Sequence, residues 1–472
     1  MTQTHVRSSP LRAFTVLLTS LGGLLFGYGT GVIAGALPLV SRTYDLSSWS
    51  QGAAVSAALL GAALTAPTSG RLADRLGRRP VLGGATAFYA AGTLLSATAE
   101  GTAWLLTGRL LVGLALGATS FAVPLYISEI APPARRGALV TVNQLMITVG
   151  LLLSYVAAYV LEPSGNWRAM FALGAAPALI LLAGLPFVPE SPEWLHSRGR
   201  ADRAAREAHR LGLPARAADD APSAARGFGL RAAAAHAGPR WVALGLAIAV
   251  LVHLTGLNTA IYYAPTILAD SGLTSSGGVA GSVLVGSCNV LATIFTIVFL
   301  DRWGRRPLML GGLAVMAVAA VAIASVQSLG DPGVATAVLL CLFITAGAVG
   351  PAAVFWVYIA EIYPARARGA LMSLATAAHW GADFVVATTF LPLVQGLSLE
   401  GAFLVYAVIT AASAVGLGKW MQETKSAPAP APAAAAEDAT VSVSPAPVAP
   451  VAPVAPVPTV PTRSGHPLET ER

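Results

Sequence analysis

The chain has 472 residues, of which 55% are hydrophobic and 11% are charged, whereas soluble domains carry about 25% charged residues. Apolar runs of roughly 20 residues recur along it. A run of this length must be helical within a bilayer, because every backbone polar group there needs an internal partner. These features exclude a soluble multidomain protein and predict an all-α membrane protein that crosses the bilayer many times.

We predict twelve transmembrane helices, six on each side of a hydrophilic insert. The predicted spans are 13–39, 51–70, 81–99, 104–126, 139–161, 168–188, 242–268, 278–300, 308–327, 334–359, 369–392 and 399–420. The corresponding regions are an N-terminal segment (1–12), a six-helix half (13–188), a helical linker (189–240), a second six-helix half (241–425) and a Pro/Ala-rich tail (426–472). The composition of the tail cannot form a packed core, so we expect disorder or polyproline-like structure there.

The arginines and lysines are distributed unevenly among the predicted loops. Of the 29 in the chain, Arg42 and Arg168 lie in odd-numbered loops and Arg109 lies within a span, which leaves 29 − 3 = 26 in even-numbered loops or termini. Because positive residues concentrate on the cytoplasmic side, we expect both termini and the linker to be cytoplasmic, in a protein of the plasma (cell inner) membrane. The net charge of +7 is therefore a topology signal and does not indicate nucleic-acid binding.

The linker is rich in alanine and arginine and is predicted to be partly helical. Asp202 and Arg206, like Arg203 and Glu207, are four residues apart, so each pair can interact on a helix surface. We interpret the linker as a surface connection between the two halves; the alternative is a partner-binding domain.

One charged segment occurs twice. Residues 74–80 (Asp-Arg-Leu-Gly-Arg-Arg-Pro) return as 301–307 (Asp-Arg-Trp-Gly-Arg-Arg-Pro), and a second pair of segments begins at Tyr126 and Tyr358. Both pairs lie at predicted cytoplasmic span ends, which relates the two halves as parallel repeats. Their acids and arginines can bridge neighbouring helices, closing this face and breaking when it opens; alternatively, the arginines only set the orientation. The predicted gating residues are Asp74, Arg78, Arg79, Glu129, Arg136, Asp301, Arg305, Arg306, Glu361 and Arg368.

These repeats and several narrower motifs resemble the major facilitator superfamily and, within it, the sugar porter branch. The two Asp-Arg-x-Gly-Arg-Arg segments resemble the superfamily signature. The sugar porter motifs are residues 22–33 in span 1, 189–195 (Pro-Glu-Ser-Pro-Glu-Trp-Leu) after span 6 and 256–265 in span 7. The resemblance covers residues 13–425. It implies a secondary carrier of twelve helices that moves a sugar, polyol or related polar metabolite by alternating access, as a facilitator or a proton symporter.

The resemblance also implies a central substrate site reached alternately from either face. Amides offer donors and acceptors to hydroxyl groups, and an indole face stacks on the apolar C–H surface of a sugar. Each such side chain could instead make a hydrogen bond that only packs two helices together. The candidate substrate-binding residues are Gln144, His253, Asn258, Asn289, Trp356, His379, Trp380 and Asp383.

Three motifs depart from the family pattern. Proton-coupled sugar porters carry an acid after the span 1 tyrosine, associated with coupling alongside a span 4 arginine; here Gly29 takes its place, although the arginine is present as Arg109. The family's paired glutamines in span 7 are Val252 and His253, and its Asn-Trp-x-x-Asn-Phe pattern in span 11 is residues 379–384 (His-Trp-Gly-Ala-Asp-Phe). The missing acid is compatible with uniport, and the lost amides weaken the case for a hexose-specific site.

Apart from residues at the span ends, the side chains inside the predicted spans that can carry charge are Arg109, His253, His379 and Asp383. A charge in hydrocarbon costs roughly 2.5–3.5 kcal/mol on insertion scales, so these residues are functional candidates by default. His379 and Asp383 are four residues apart and can form a hydrogen-bonded pair on one helix face, and histidine titrates near neutral pH. The proton-coupling candidates are Asp383, His379 and Arg109.

Two hypotheses for coupling remain open at this point. In the first, Asp383 with His379 or His253 has replaced the span 1 acid. In the second, transport is uncoupled, and Asp383 offsets the charge of Arg109 or binds a polar or cationic substrate.

Two alternatives to a sugar or polyol carrier are a sensor that binds without transporting and a proton-linked efflux carrier for a hydrophobic or cationic compound. The sequence has no G-x-x-x-x-G-K-[ST] loop and no His/Cys/acid cluster at metal-ligand spacing. We therefore predict no enzyme activity, no ATP-driven pumping, no cofactor and no metal. The expected partners are a small-molecule substrate, the lipid bilayer and, if transport is proton-coupled, protons, with no nucleic acid, and we expect a monomer.

Overall fold

The computed structural model describes residues 9–132, 136–213, 229–328 and 332–425, and within these ranges it leaves out the side chains of 136–138, 365 and 366. The described residues are helical, with turns and short loops between the helices. The predicted tail (426–472) lies outside them, as does part of the linker (214–228).

The helices of the first half begin close to the predicted span starts. They are α1 (Pro10–Tyr44), α2 (Ser48–Leu76), α3 (Arg78–Ala97), α4 (Thr102–Ile130), α5 (Arg136–Leu161), α6 (Trp167–Leu173) and α7 (Ala175–Gly184), with 3₁₀ turns at Glu162–Ser164 and Leu185–Phe187. Serine hydroxyls cap the first two helices: Ser9 accepts from the backbone N–H of Arg12, and Ser47 from that of Ser50. Such caps satisfy N–H groups that the first turn of a helix leaves unpaired.

Three short helices lie in the described part of the linker, and the second half follows. The linker helices are α8 (Pro192–Ser197), α9 (Ala201–Arg210) and α10 (Leu230–Ala237). The second half comprises α11 (Pro239–Leu254), α12 (Leu257–Tyr262), α13 (Ala264–Asp270), α14 (Ser275–Trp303), α15 (Arg305–Val326), α16 (Gly333–Gly347), a π-helical segment (Ala348–Ala352), α17 (Ala353–Ile362) and α18 (Ala365–Trp420). The π-helical segment contains Pro351, which lacks the backbone N–H that a regular helix requires.

Ten stretches among the described residues are long and apolar enough to cross a membrane. The eleventh span is α3, a helix of 20 residues that is not among these ten stretches. The twelfth arises because α18 is interrupted at Ser398, where φ is 63°, so its two arms form separate spans. The predicted all-α fold of twelve transmembrane helices is thus confirmed.

Large aliphatic side chains lie exposed on the outer faces of these helices. Val160, Val318 and Val408 are 66–70% exposed. A soluble protein rarely exposes so many apolar side chains over a continuous surface, so these faces are the ones that contact lipid.

The two halves are joined at one end. The hydroxyl of Ser48 donates to Oε1 of Gln395 and that of Thr388 donates to Oγ of Ser56, each at 2.7 Å. Two further contacts join the hydroxyl of Ser275 to Glu162 and that of Tyr155 to the carbonyl oxygen of Ile261. Among the described residues, the hydrogen bonds between the halves lie on the side away from the Asp-Arg-x-Gly-Arg-Arg segments. This conformation is therefore closed at that end.

Neither of the two pairs expected in the linker, Asp202–Arg206 and Arg203–Glu207, forms an ion pair in the described part of the chain. Glu207 pairs with Arg210, whose Nη1 lies 2.8 Å from the Glu207 carboxylate, and not with Arg203. A spacing of three residues along a helix brings two side chains as close as a spacing of four does, and here the shorter spacing prevails. Arg203 is left exposed on α9.

Candidate functional site

The centre of the site is the carboxylate of Asp383, which lies on α18 and is completely buried. Its Oδ2 accepts a hydrogen bond from Nδ2 of Asn258 at 3.0 Å and another from the hydroxyl of Tyr262 at 2.9 Å. Both donors lie on α12, four residues apart, so they share one helix face. Asp383 thus links spans 7 and 11 of the second half.

The other carboxylate oxygen of Asp383 faces a histidine. Oδ1 lies 3.1 Å from Nδ1 of His253, and each side chain is 1% exposed. The angles at this contact are not those of a hydrogen bond. Among the described residues, Oδ1 of Asp383 has no hydrogen-bond partner, and neither has Nε2 of His253. The contact is therefore electrostatic, and its strength depends on whether the pair carries a proton.

A buried carboxylate in this position has two protonation levels. With one proton, the His253–Asp383 pair is neutral overall, either as imidazolium and carboxylate or as imidazole and carboxylic acid. Without it, the pair carries one negative charge in a region that stabilises charge poorly. Binding and release of one proton therefore change the charge of the protein's interior by one unit.

His379 occupies a different place from the one predicted. Its ring centroid lies 4.0 Å from that of His253, and its ring stacks on Phe355 at 4.6 Å with an interplanar angle of 3°. Trp356 approaches it edge-on at 5.0 Å. The predicted hydrogen bond between His379 and Asp383 is wrong, because the Asp383 carboxylate faces the donors of α12 and His253 instead.

Trp380 extends the cluster to the first half. It is buried, and its ring lies 5.4 Å from Phe26 of α1, while its indole N–H has no acceptor among the described residues. Gln144 lies partly buried on α5 and Asn289 buried on α14, two helices that pack together. Neither amide side chain has a described hydrogen bond to the Asp383 cluster, so the structure does not bring these two into direct contact with it.

Arg109 lies apart from this cluster, in the first half. Its Nη1 donates to the carbonyl oxygen of Gly29 at 2.6 Å and its Nε to that of Ala54 at 3.4 Å. Among the described residues no carboxylate pairs with it, so the hypothesis that Asp383 offsets its charge has no contact to support it. The dipoles of these two backbone carbonyl groups stabilise the charge of Arg109 instead.

Tyr89 explains the glycine at position 29. A Cβ atom on Gly29 would lie 2.9 Å from Cε2 and 3.1 Å from the hydroxyl oxygen of Tyr89, closer than carbon atoms pack in proteins. The ring of Tyr89 therefore occupies the room that an acidic side chain at this position would need.

The duplicated charged segments form ion pairs in both halves. In the first half, Arg78 of α3 meets Glu129 of α4 at 2.6 Å and Asp74 of α2 at 3.2 Å. In the second half, Arg305 meets Glu361 at 2.7 Å and Asp301 at 2.8 Å. These pairs connect neighbouring helices of the same half and leave the two halves unconnected to each other, so in this conformation they do not close the face.

Two further acids, which the sequence did not nominate, hold the same segments. Glu190 accepts from the backbone N–H groups of Arg78 and Arg79 at 3.0–3.4 Å, and Glu423 accepts from those of Arg305 and Arg306 at 3.0 Å. An acid at a helix N-terminus satisfies unpaired donors and the helix dipole. The spacing 423 − 190 = 233 is close to the repeat offset and could have revealed the match.

The glycines of the two segments make these caps possible. Gly77 and Gly304 adopt φ of 104° and 93°, a region in which a side chain is strained. A Cβ atom on either would also lie 2.5 Å from Oε2 of the capping acid, Glu190 or Glu423. The glycine of each repeated segment is therefore fixed by geometry.

The remaining predicted gating residues differ in the contacts of their side chains. Arg306 donates to the carbonyl oxygen of Gly418 at 2.6 Å, and Arg368 to that of Tyr363 at 3.4 Å. The side chain of Arg79 has no hydrogen bond among the described residues. The side chain of Arg136 lies outside the described part of the chain.

Sequence reasoning missed Tyr262, Phe355 and Tyr89 as site residues. Tyr262 could have been found, because it follows Asn258 by one helical turn. The other two lie on spans 10 and 3 and carry no local signal, since only the packing of those helices brings them to His379 and Gly29.

Comparison with known proteins gives a consistent result. The family model described as "Sugar (and other) transporter" matches residues 15–429. The galactose-proton symporter of Escherichia coli K12 is 36% identical over 415 residues, 84% of this chain and 88% of that protein. The major myo-inositol transporter IolT of Bacillus subtilis 168 is 33% identical over 433 residues, 87% and 91% respectively. A partially occluded inward open structure of the xylose transporter XylE from E. coli aligns with a TM-score of 0.76 at 27% identity, over 89% of this chain and 100% of that one.

Proposed function

We propose that this chain, which belongs to the sugar transporter family, couples the uptake of a sugar or polyol to a proton bound at Asp383. The chain is a secondary carrier of sugars or related metabolites and not an enzyme, as its family and relatives establish. The proposal concerns the ion that drives it, the residues that bind ion and substrate, and the orientation in the membrane.

The observation that carries the proposal is the contact of Asp383 with His253. Both side chains are buried inside the membrane region and lie 3.1 Å apart. A buried ionisable pair is costly, so intramembrane pairs of this kind mark ion pathways and proton relays. Binding of one proton changes the charge of the pair by one unit, so the pair could carry one proton in each cycle of a proton symporter.

The described residues of the first half offer no acid for this role. Tyr89 fills the room beside Gly29, and Arg109 is held by two backbone carbonyls. A proton carrier in this chain therefore has to lie elsewhere. Among the described residues of the predicted spans, Asp383 is the one carboxylate inside the hydrocarbon region, with His253 and His379 as the histidines beside it.

The substrate class follows from the polar groups around this pair. Buried atoms without hydrogen-bond partners include Nε1 of Trp380, Nε2 of His253 and Nδ1 of His379, and buried polar groups are normally bonded. A hydroxyl oxygen can accept from the indole N–H, and a hydroxyl group can donate to or accept from either histidine nitrogen. The indole and phenyl faces of Trp380, Trp356 and Phe355 suit the C–H face of a sugar or cyclic polyol. We propose that Gln144, Asn258 and Asn289 complete this site when the halves close around a substrate.

The ion pairs and caps support a rocking motion of two rigid halves. Arg78 with Glu129, and Arg305 with Glu361, tie the helices of each half together, whereas contacts such as Ser48–Gln395 join the halves only at the opposite end. We propose that the duplicated segments keep each half rigid and meet each other when the conformation reverses.

We further propose that the arginine-rich ends face the cytoplasm and that the membrane is the plasma membrane. The distribution of 26 of the 29 arginines and lysines in even-numbered loops or termini supports this orientation. Each chain contains both repeats around one site, so we propose that it works as a monomer. Efflux of a hydrophobic or cationic compound is not favoured, since the named relatives transport sugars and inositol.

The test uses the purified full chain in proteoliposomes. Xylose, galactose, glucose and myo-inositol are added in turn to weakly buffered vesicles, and the external pH is recorded. The proposal predicts that at least one of them causes external alkalinisation, and that a protonophore abolishes its accumulation. Uptake of a substrate that causes no proton movement and is insensitive to the protonophore would establish uniport and refute the coupling.

A further inference from the structure

A cavity lies at the charged end of the first half, away from the Asp383 cluster. Its volume is about 520 Å³, and it is bounded by the start of α3, the end of the sixth span and the linker helices α8 and α9. Because these elements meet where the spans end, the cavity sits at the boundary between hydrocarbon and water. Nothing in the transport cycle described above uses it.

One side of this cavity is strongly basic. Arg79, Arg200 and Arg203 line it, and none of their guanidinium groups pairs with an acid among the described residues. Glu190 also borders the cavity, but its carboxylate accepts from the backbone N–H groups that start α3. Glu207, which was expected to neutralise Arg203, pairs with Arg210 instead. The cavity is thus lined by three arginines and one carboxylate, and that carboxylate already accepts hydrogen bonds from the backbone.

The opposite side of the cavity is apolar and continuous with the lipid-facing surface. Leu182 and Pro186 line it, and Phe187, the next residue, is 68% exposed. Gly83 leaves this wall open, because a Cβ atom there would touch only Leu185, at 3.4 Å. The cavity therefore combines a charged rim on the aqueous side with an aliphatic wall on the membrane side.

We propose that this cavity binds an anionic phospholipid, with its phosphate between Arg200, Arg203 and Arg79 and its acyl chains against Leu182 and Gly83. Guanidinium groups bind phosphate through paired hydrogen bonds, and basic pockets between helices at the cytoplasmic side suit lipid head groups. A soluble phosphate compound would use the three arginines equally well but would gain nothing from the aliphatic wall. The lipid occupies both sides, so it is the occupant that the geometry favours.

The inference goes beyond the proposed transport function and does not depend on its substrate or coupling ion. The cavity adjoins Glu190, and Trp194 of α8 donates through its indole N–H to the carbonyl oxygen of Asp74. A bound lipid would therefore connect the linker, α2 and α3, and we expect it to raise the thermal stability of the carrier.

The first experiment measures lipid binding by native mass spectrometry of the full chain. The protein is released from detergent with dioleoyl phosphatidylglycerol or with dioleoyl phosphatidylcholine at equal concentration. We expect a retained phosphatidylglycerol adduct that weakens roughly tenfold in the double variant Arg200→Gln/Arg203→Gln. The matched control is Arg206→Gln, on the same exposed helix but outside the cavity, which should bind as the unchanged chain does.

A second variant tests the apolar wall without removing a charge. Gly83→Leu should fill the cavity and reduce phosphatidylglycerol retention while leaving the arginines in place. In parallel, thermal unfolding in detergent is compared with dioctanoyl phosphatidylglycerol and with inorganic phosphate added alone.

Three results would overturn the proposal. The first is equal retention of the two lipids, and the second is unchanged retention of phosphatidylglycerol in both the double variant and Gly83→Leu. The third is stabilisation by inorganic phosphate as large as that by the lipid, which would identify a soluble anion as the occupant.

Discussion

Nδ1 of His253 lies 3.1 Å from Oδ1 of Asp383, and both side chains are buried within the second half of the carrier. The two residues come from spans 7 and 11, more than a hundred positions apart. Their proximity places an ionisable pair beside Asn258, Tyr262 and the ring of His379. In the proposed mechanism this pair, and not the region of span 1 and Arg109, would hold the proton.

Asp383→Asn should abolish proton-driven accumulation of substrate while preserving exchange. An amide cannot release a proton in this environment but can still accept hydrogen bonds from Asn258 and Tyr262. We expect accumulation to fall to the level of equilibration and counterflow to remain, with its pH dependence lost, in proteoliposome assays. Asp270→Asn, at the exposed end of α13, is the matched control and should behave as the unchanged chain. Accumulation retained in Asp383→Asn would rule out this residue as the coupling group.

Gly29→Asp should destabilise the protein, because the new Cβ atom would meet the ring of Tyr89. Overpacking of this kind costs about 1–3 kcal/mol. In a Tyr89→Ala background the loss should be smaller, since the ring is gone and the carboxylate can approach Arg109. Thermal unfolding of the four proteins in this double-mutant cycle measures the difference. An equal loss in both backgrounds would show that Tyr89 is not what excludes the acid, and Gly29→Ala separates the steric effect from that of charge.

Gly52→Val should open the end at which the halves are joined. A Cβ atom at position 52 would lie 2.3 Å from the carbonyl oxygen of Thr388, so a valine forces α2 and α18 apart there. The readout is labelling of Ser48→Cys by a membrane-impermeant maleimide, in a background in which both native cysteines are replaced by alanine.

Labelling should be slow in that background, because Ser48 is 8% exposed and bonded to Gln395, and should become several-fold faster with Gly52→Val. Gly84→Val is the control, since its side chain would meet open space. Equal labelling rates with Gly52→Val and Gly84→Val would contradict the prediction.

The cap formed by Glu423 should make stability pH-dependent. Burial acts to raise the pKa of the Glu423 carboxyl, but hydrogen bonds from the backbone N–H groups of Arg305, Lys425 and Arg306 outweigh burial and hold this pKa below its ordinary value. A lowered pKa in the folded state stabilises the fold above the ordinary value, about 4.3 for glutamate. That stabilisation is lost as the pH falls through the lowered value.

Glu423→Gln should therefore be less stable than the unchanged chain at neutral pH, by about 1 kcal/mol on the scale of helix caps, and the difference should shrink toward about pH 3. Thermal unfolding across this range measures it. Glu400→Gln, an exposed acid at the start of the last span, should show no such trend. A difference between Glu423→Gln and the unchanged chain that does not vary with pH would mean that the charge of the cap contributes nothing.

The sequence alone was sufficient for the class, the number of spans, the repeat of the two halves and the family. Each of these depends on local properties: apolar runs set the spans, and segments 74–80 and 301–307 record the duplication. The four-residue spacing of Asn258 and Tyr262 could likewise have placed two donors on one face, because helical periodicity is a local property.

Only the tertiary structure decided which partners these residues have. Helix rotation and packing turned Asp383 toward His253 and away from the neighbouring turn that carries His379. They also placed Tyr89 against Gly29 and kept each arginine–glutamate pair within its own half. These contacts join residues tens to hundreds of positions apart, and the shapes of whole helices determine their distances, which local hydropathy and spacing do not record.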